Sequence, residues 1–240
     1  MRVALLSDIH ANWIALEAVL GDLAAQDGVE DVICLGDVVG YGPEPDRCLE
    51  HVRSSGWLTL VGNHDRACTD PTVLGWFNAD AAAAVRWTIT QLNSEQLDWL
   101  RALPERAERA GSQLVHASPR DPVYEYILDS ETAEANLRLI GDGLCFHGHT
   151  HVPGVFHVEH GELTHSYLHG CVPVAGPALV NPGSVGQPRD GDPDASYGLW
   201  DPQASSFEFR RVPYDREPVK RAILEHELPP RLAFRLDFGR

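Results

Sequence analysis

The sequence predicts an α/β fold, because short apolar runs typical of strands alternate with stretches in which apolar residues recur at helical spacing. Polar residues follow directly after many of the apolar runs. In α/β sheets the carboxyl ends of the strands are where ligands bind. The chain has 240 residues, a length that favours one domain over two. We therefore expect a single domain that spans residues 1–240.

The individual elements follow from the local patterns. In chain order, the apolar runs predict strands at residues 3–7, 32–35, 57–61, 114–116, 144–147, 179–180, 197–200 and 207–212. Helical periodicity predicts helices at residues 13–23, 45–54, 79–87, 93–103 and 219–226. Asn12 is a candidate cap for the first helix, and Asn93 with Gln96 has the pattern of a capping box. The last two strands, joined by a turn-like segment, predict a hairpin.

Residues 66–111 form a predicted insertion, mostly helical, between two of the polar clusters. It contains several large aromatic residues, namely Trp76, Phe77, Trp87 and Trp99. Two interpretations are open: a lid that shapes a substrate pocket, or helices that pack on the sheet. The density of aromatic residues favours packing. Residues 67–77 lack helical periodicity and could still line a cleft.

Residues 213–240 are predicted to form a C-terminal helix and a tail. In the tail, residues 229–238 have apolar side chains at even positions, which is the alternation of a strand. This pattern leaves two alternatives. The tail could add a strand to a neighbouring copy in a homo-oligomer, or it could cover the core of its own chain.

The charge of the chain narrows the classes of partner. There are 19 Lys and Arg residues against 35 Asp and Glu residues, a formal net charge of −16. Nucleic acids and acidic membranes are bound through basic patches, and the longest basic cluster here is Arg210–Arg211. The composition therefore argues against nucleic-acid duplexes and membrane surfaces as partners.

Other compositional features predict a cytoplasmic protein. No apolar run reaches the roughly 7–15 residues of a signal peptide or the roughly 20 residues of a membrane span. The five cysteines are widely spaced and never occur as Cys-x-x-Cys. We expect them to be reduced and mostly buried.

Potential metal ligands follow the predicted strands. They are Asp8, His10, Asp37, Asn63, His116, His149 and His151. One tetrahedral zinc ion needs only about three or four ligands, so this set predicts two ions with a bridging carboxylate. Nitrogen and oxygen ligands without thiolate favour Mn, Fe or Zn, with Co or Ni as alternatives. Asp8 and His10 are two residues apart, as are His149 and His151, and on a strand end each pair would share one face.

The motifs gain specificity from their order along the chain. They are Asp8-x-His10, Gly36-Asp37, Gly62-Asn63-His64-Asp65, His116 and Gly148-His149-Thr150-His151, with the longer strings at 36–43 and 181–186. Together they resemble the calcineurin-like metallophosphoesterases, and most closely the small bacterial phosphodiesterases of that superfamily. The resemblance covers residues 2–215. It implies a four-layer αββα sandwich of two mixed β-sheets flanked by helices.

The resemblance also implies roles for the site residues. A first ion would be bound by Asp8, His10 and His151, and a second ion by Asn63, His116 and His149. Asp37 would bind both ions. His64 would not bind metal and would protonate the departing oxygen. A hydroxide shared by the ions would then attack the phosphorus while His64 acts as the general acid.

One departure from the family pattern bears on the substrate. Protein phosphatases of this superfamily carry Asp-Arg at the positions occupied here by Gly40 and Tyr41, so the usual partner of the catalytic histidine and a phosphate-binding arginine are missing. Asp65 is a candidate to orient His64 instead. Arg120 and Arg189 lie near motif loops and are candidate phosphate contacts.

These observations predict an enzyme that hydrolyses small phosphodiesters with two divalent metal ions. The alternatives are a phosphomonoesterase, a nucleotide or dinucleoside polyphosphate hydrolase on the same site, and a non-enzymatic scaffold of the same fold. The intact set of ligands and His64 argue against the scaffold, which needs no proton donor.

Overall fold

The computed structural model describes residues 2–159, 162–166 and 170–240, and within them the strands form two six-stranded mixed sheets. In spatial order, the first sheet contains β3 (Leu58–Thr59), β2 (Val29–Cys34), β1 (Arg2–Leu6), β11 (Ala195–Asp201), β12 (Ser206–Val212) and β9 (Gly170–Pro173). The second contains β4 (Arg106–Arg109), β5 (Ser112–Val115), β6 (Leu144–Phe146), β10 (Ala178–Asn181), β7 (Gly154–Glu159) and β8 (Glu162–Ser166).

Helices connect the strands and cover the sheets. They are α1 (Trp13–Ala24), α2 (Pro45–Ser54), α3 (Asn63–Thr69), α4 (Ala79–Gln91), α5 (Ser94–Ala102), α6 (Ser130–Ile140), α7 (Arg216–Glu225) and α8 (Pro230–Arg235), with a 3₁₀ helix at Pro71–Trp76. The predicted caps are confirmed. The Asn12 side chain accepts a hydrogen bond from the backbone of Ala15, and Asn93 and Gln96 form a reciprocal capping box.

Each sheet contains three neighbouring parallel strands. β1, β2 and β3 run parallel in the first sheet, and β5, β6 and β10 run parallel in the second. The polar clusters of the sequence follow these six strands. The site is therefore assembled from the carboxyl ends of parallel strands, but from two sheets and not from one.

Strand alternation divides the apolar side chains into separate layers, which confirms the predicted αββα sandwich. In β1, Val3 and Leu5 face the core between the sheets, whereas Ala4 and Leu6 face the core beneath the helices. Phe146 of β6 is fully buried between the sheets, with its ring centroid 4.8 Å from that of Trp200. α6 covers the outer face of the second sheet in a third core. The middle layer thus fixes the two sheets against each other.

Several sequence expectations differ from the structure. β3 is shorter than the predicted strand 57–61, because the Val61 N–H donates to the Pro104 carbonyl at 2.9 Å and not to β2. α3 was not predicted, since its sequence is polar. α6 was also not predicted, although Ala133, Leu137 and Ile140 recur at helical spacing and are buried.

The C-terminal tail forms a helix, so the predicted strand for a neighbouring copy is wrong in this structure. α8 begins at Pro230, and the side chains of Leu232, Ala233 and the C-cap residue Leu236 are buried in the core beneath the helices. Positions 232 and 236 are even-numbered and also one helical turn apart, so a helix satisfies the same pattern. The tail covers the core of its own chain, which was the second alternative.

The aromatic residues of segment 66–111 differ in their burial. Trp87 and Trp99 are partly buried and pack against the core beneath the helices, as the packing interpretation predicts. Trp76, in contrast, is 74% exposed. This part of the segment lies beside the functional site described below.

All five cysteines are free, and only Cys171 is exposed. Among the helices of the described residues, none has both the length and the apolar character needed to cross a membrane.

Candidate metal centre

The loops that follow the parallel strands bring the predicted ligands together by unusual backbone conformations. Five ligands have left-handed backbone angles: Asp8 (φ 55°), His10 (φ 49°), Asp37 (φ 56°), His149 (φ 65°) and His151 (φ 60°). Such angles are uncommon outside glycine and concentrate at functional sites. The expectation that each two-residue pair sits on an extended strand is therefore wrong. β1 ends at Leu6, before the first ligand.

The ligands form two overlapping groups of donor atoms. The first group consists of Asp8, His10, Asp37 and His151, and the second of Asp37, His116 and His149. Within each group the donor atoms lie within 4.8 Å of one another. Asn63 joins the second group, because its Oδ1 lies 3.3 Å from Nε2 of His116. The structure thus brings all the predicted ligands together.

Asp37 belongs to both groups through a single oxygen. Its Oδ2 lies 3.5 Å from Nε2 of His10 and 3.5 Å from Nε2 of His116. Its other oxygen, Oδ1, accepts a hydrogen bond from the backbone N–H of His64 at 2.8 Å. The carboxylate is therefore held in one orientation, with one oxygen directed between the two groups.

Each ligand histidine has one ring nitrogen committed to a backbone carbonyl. The pairs are His10 Nδ1 with Val39 (3.2 Å), His116 Nδ1 with Leu35 (3.0 Å), His151 Nδ1 with Gln187 (2.6 Å) and His149 Nε2 with Tyr124 (3.2 Å). A carbonyl can only accept, so this nitrogen carries the proton and the opposite nitrogen presents a lone pair. Metal-binding histidines are oriented in this way.

The surroundings of the Asp8 carboxylate fit a bound cation. One of its oxygens, Oδ2, accepts from the backbone N–H of His149 at 3.1 Å. The other, Oδ1, is buried without a hydrogen-bond partner and lies 3.3 Å from Nε2 of His151. A buried acceptor without a partner is costly. A bound cation would remove that cost.

Burial controls the protonation of the centre. It raises the pKa of Asp8 to about 7 and the pKa of Asp37 well above its usual range. It lowers the pKa of His116 to about 3 and the pKa of His10 well below the usual range. The histidines are therefore neutral, as metal ligands must be. The carboxylates need positive charge nearby to ionise, and divalent metal ions fit this donor set.

His64 lies beside the donor groups and has no hydrogen-bond partner at Nδ1 among the described residues. Its ring centroid is 4.9 Å from that of His10 and 4.3 Å from that of Tyr41. Gly40 (φ 89°) makes this position accessible, because a side chain there would collide with the imidazole of His64.

Asp65 does not orient His64, which corrects the sequence expectation. Its carboxylate accepts hydrogen bonds from the backbone N–H groups of Asp37 (2.7 Å), Val39 (3.1 Å) and Gly62 (3.0 Å). Burial raises the pKa of Asp65 to about 6, and these hydrogen bonds oppose the shift. Asp65 therefore joins the loop after β2 to the loop before α3 and acts on the site through the backbone.

The two candidate arginines differ in their surroundings. Arg120 is exposed and forms an ion pair with Glu125, so the structure does not direct its guanidinium to the cluster. Arg189 is partly buried, and its backbone N–H donates to the carbonyl of His151 at 3.1 Å. Its charge lowers the pKa of Asp8. Arg189 is thus the one of the two that lies at the centre.

A cavity of about 180 Å³ adjoins the second donor group. Its aromatic lining consists of Tyr41, His64, Trp76, Phe77, Tyr124, Tyr126 and His149. Tyr126 stacks on His149 with ring centroids 3.8 Å apart. No sequence pattern points to Tyr124 or Tyr126, whereas residues 67–77 are a predicted lining of the cleft. The centre therefore opens beside an aromatic wall.

Comparison with known proteins agrees with this geometry. Residues 1–205 match the family model of the calcineurin-like phosphoesterase superfamily domain, so the chain belongs to this superfamily. The resemblance to the superfamily is thereby confirmed. Membership of this superfamily supports phosphoester hydrolysis.

Similar proteins come from several organisms. MJ0912 of Methanocaldococcus jannaschii is 38% identical over 246 residues, which cover 99% of this chain and 98% of that protein. The crystal structure of a metallophosphoesterase from Sphaerobacter thermophilus is 41% identical, with a TM-score of 0.88 over 100% of this chain and 99% of that one. PH1004 of Pyrococcus horikoshii has the same fold, with a TM-score of 0.82 at 23% identity, over 100% and 98% of the two chains.

The position of Asp65 leads to a prediction. The Asp65→Asn substitution replaces one carboxylate oxygen with an NH₂ group, which cannot accept a hydrogen bond, and removes the negative charge. Three backbone N–H groups then share a single neutral oxygen as acceptor. We expect the free energy of unfolding of the metal-stripped protein to fall by about 2–4 kcal/mol in a denaturant titration. The exposed Asp142→Asn is the control and should change it by less than about 0.5 kcal/mol. Unchanged stability with loss of turnover alone would instead indicate a direct role at His64.

Proposed function

We propose that the protein is a phosphodiesterase that acts on small substrates with two divalent metal ions, of which Mn, Fe and Zn fit best and Co or Ni are alternatives. The observation that carries the proposal is the position of Asp37 Oδ2, at 3.5 Å from a histidine of each donor group. The first ion would be held by Asp8, His10 and His151, and the second by Asn63, His116 and His149, with Asp37 common to both. Divalent ions at such a site favour ionisation of water near neutral pH and neutralise charge on phosphoryl oxygens.

The chain itself supplies the proton donor. His64 is buried beside both His10 and Tyr41, and burial lowers its pKa well below the usual range. The negative charge of a bound phosphoester opposes this shift and favours the imidazolium form. We assign to His64 the donation of a proton to the leaving oxygen as the ester bond breaks. The partly buried Arg189 would bind a phosphate oxygen of the substrate.

Two features support a diester as the substrate. Gly40 and Tyr41 stand where protein phosphatases of the superfamily carry Asp-Arg, so the arrangement differs from that of a phosphomonoesterase acting on proteins. The aromatic cavity of about 180 Å³ gives space for an ester group next to His64. A non-enzymatic scaffold is disfavoured, because a buried and unpaired Asp8 oxygen costs stability without serving a binding surface.

A second candidate substrate is a nucleotide or a dinucleoside polyphosphate. Trp76 is 74% exposed at the rim of the cavity, and its ring centroid lies 5.3 Å from that of Tyr124. Exposed aromatic rings of this kind can stack on a nucleobase. The reacting centre would be the same as for a simple diester.

A substrate panel tests the proposal. Metal-loaded protein is assayed with bis(p-nitrophenyl) phosphate, p-nitrophenyl phosphate and a dinucleoside polyphosphate, with Mn, Fe, Co, Ni and Zn in separate reactions. We expect kcat/KM for the diester to exceed that for the monoester by about tenfold or more, equivalent to ~1.4 kcal/mol of transition-state stabilisation. Preference for the polyphosphate would favour the second candidate. Absence of diester hydrolysis with every metal would contradict the proposal.

The role of His64 predicts a dependence on the leaving group. His64→Ala should slow hydrolysis of a diester with an alkyl leaving group by about 10²–10⁴-fold, because that oxygen needs a proton. A p-nitrophenyl leaving group needs little protonation and should be affected much less. Metal content should not change. His226→Ala, at an exposed histidine that follows α7, is the matched control. Equal losses for both leaving groups would exclude the general-acid role.

A further inference from the structure

A second guanidinium, from Arg235 of α8, lies close to Arg189 at the edge of the metal centre. The two groups share one aromatic neighbour. The guanidinium carbon of Arg189 is 5.6 Å, and that of Arg235 is 6.0 Å, from the ring centroid of Tyr41. Tyr41 in turn contacts the ring of His64 at 4.3 Å. Tyr41 therefore contacts both the pair of arginines and the proposed proton donor.

No side-chain carboxylate pairs with either arginine in the part of the chain that the structure describes. Arg189 donates to Oε1 of Gln187 at 3.0 Å, and Nε of Arg235 donates to the main-chain oxygen of Arg240. Burial and the charge of Arg189 lower the pKa of Arg235. An anion bound between two partly buried positive charges reduces their repulsion. Guanidinium groups bind phosphate oxygens well, because their N–H groups match the geometry of those oxygens.

Arg235 of this pair lines a groove of about 830 Å³, a volume in the range of small-molecule sites. Three arginines line this groove: Arg231, Arg235 and Arg240. The lining also includes one carboxylate, that of Asp80. Phe234 and Phe238 are exposed in the groove, with ring centroids 4.8 Å apart. Positive charge is thus concentrated here in a chain whose formal net charge is −16.

We propose that Arg189 and Arg235 form an anion subsite that binds a second phosphate group of the substrate, separate from the phosphoryl group that reacts. The substrate class is a phosphodiester that carries a further terminal phosphate, with its remaining part in the arginine-lined groove. This inference rests on the proposed phosphodiesterase function. The family model ends at residue 205, so Arg235 lies outside the part of the chain that defines the superfamily.

A pair of substrates tests the subsite. Thymidine 3′-(p-nitrophenyl phosphate) is compared with the same ester carrying a 5′-phosphate, on metal-loaded protein. We expect kcat/KM of the wild type to be higher for the 5′-phosphorylated ester by about tenfold or more, mainly through KM. In Arg235→Gln this ratio should fall to below about threefold, while hydrolysis of the ester without the 5′-phosphate continues. Arg235→Lys keeps the charge and should retain part of the preference.

The matched control is Arg221→Gln, at an exposed arginine of α7 outside the groove, which should leave the ratio unchanged. A wild-type ratio near one, or an unchanged ratio in Arg235→Gln, would overturn the proposal. Acceleration of the ester without the 5′-phosphate by millimolar inorganic phosphate, lost in Arg235→Gln, would also overturn it, because the anion would then be a separate ligand.

A binding measurement separates failure of the subsite from failure of the proposed function. Calorimetry on metal-loaded protein compares thymidine 3′,5′-bisphosphate with thymidine 3′-phosphate, the products of the two esters. We expect the bisphosphate to bind at least about fivefold more tightly to the wild type, and this difference to disappear in Arg235→Gln. Equal affinities for the two ligands in the wild type would exclude the subsite, whether or not the protein hydrolyses either ester.

Discussion

The burial of three neighbouring carboxylates is the constraint on which the rest of the structure depends. Asp8, Asp37 and Asp65 are each at most 1% exposed, and burial raises the pKa of all three. Backbone N–H groups stabilise part of this charge, but the partnerless oxygen of Asp8 and the shared oxygen of Asp37 face the histidine lone pairs. Only positive charge at that point makes the arrangement favourable. The fold is therefore built around a cation site.

The scaffold meets this constraint by placing backbone polar groups where the ligands need them. Six parallel strands end at the centre, and left-handed turns after β1, β2 and β6 direct the ligands inward. The segment after β2 presents the carbonyl groups that orient His10 and His116. Carbonyl groups after β5 and β10 orient His149 and His151. α8, at the end of the described chain, adds Arg235 to this frame from outside the superfamily domain. In the proposed subsite, Arg235 would thus extend substrate recognition beyond the part of the chain that holds the metal centre.

Much of this could be predicted from the sequence, because the ligand types follow apolar runs in a fixed order. The α/β class, the ligand set and the caps at Asn12 and Asn93 follow from such local patterns, and the family resemblance implies the αββα sandwich. The partners of Asp65 could not be predicted, because they are backbone groups from two loops that meet only in the fold. The alternation in 229–238 fitted both a strand and a helix. The structure has a helix there, because the helix buries both Leu232 and Leu236 in the core.

The measurement that tests the central claim most directly is the metal content per chain, by elemental analysis of wild type and Asp37→Asn after reconstitution and removal of free metal. The account predicts two ions per chain for the wild type, in line with the two donor groups, and fewer than one for Asp37→Asn, because both groups lose their common charged oxygen. Asp142→Asn should retain the wild-type content. One ion per chain in the wild type, or an unchanged content in Asp37→Asn, would contradict the account.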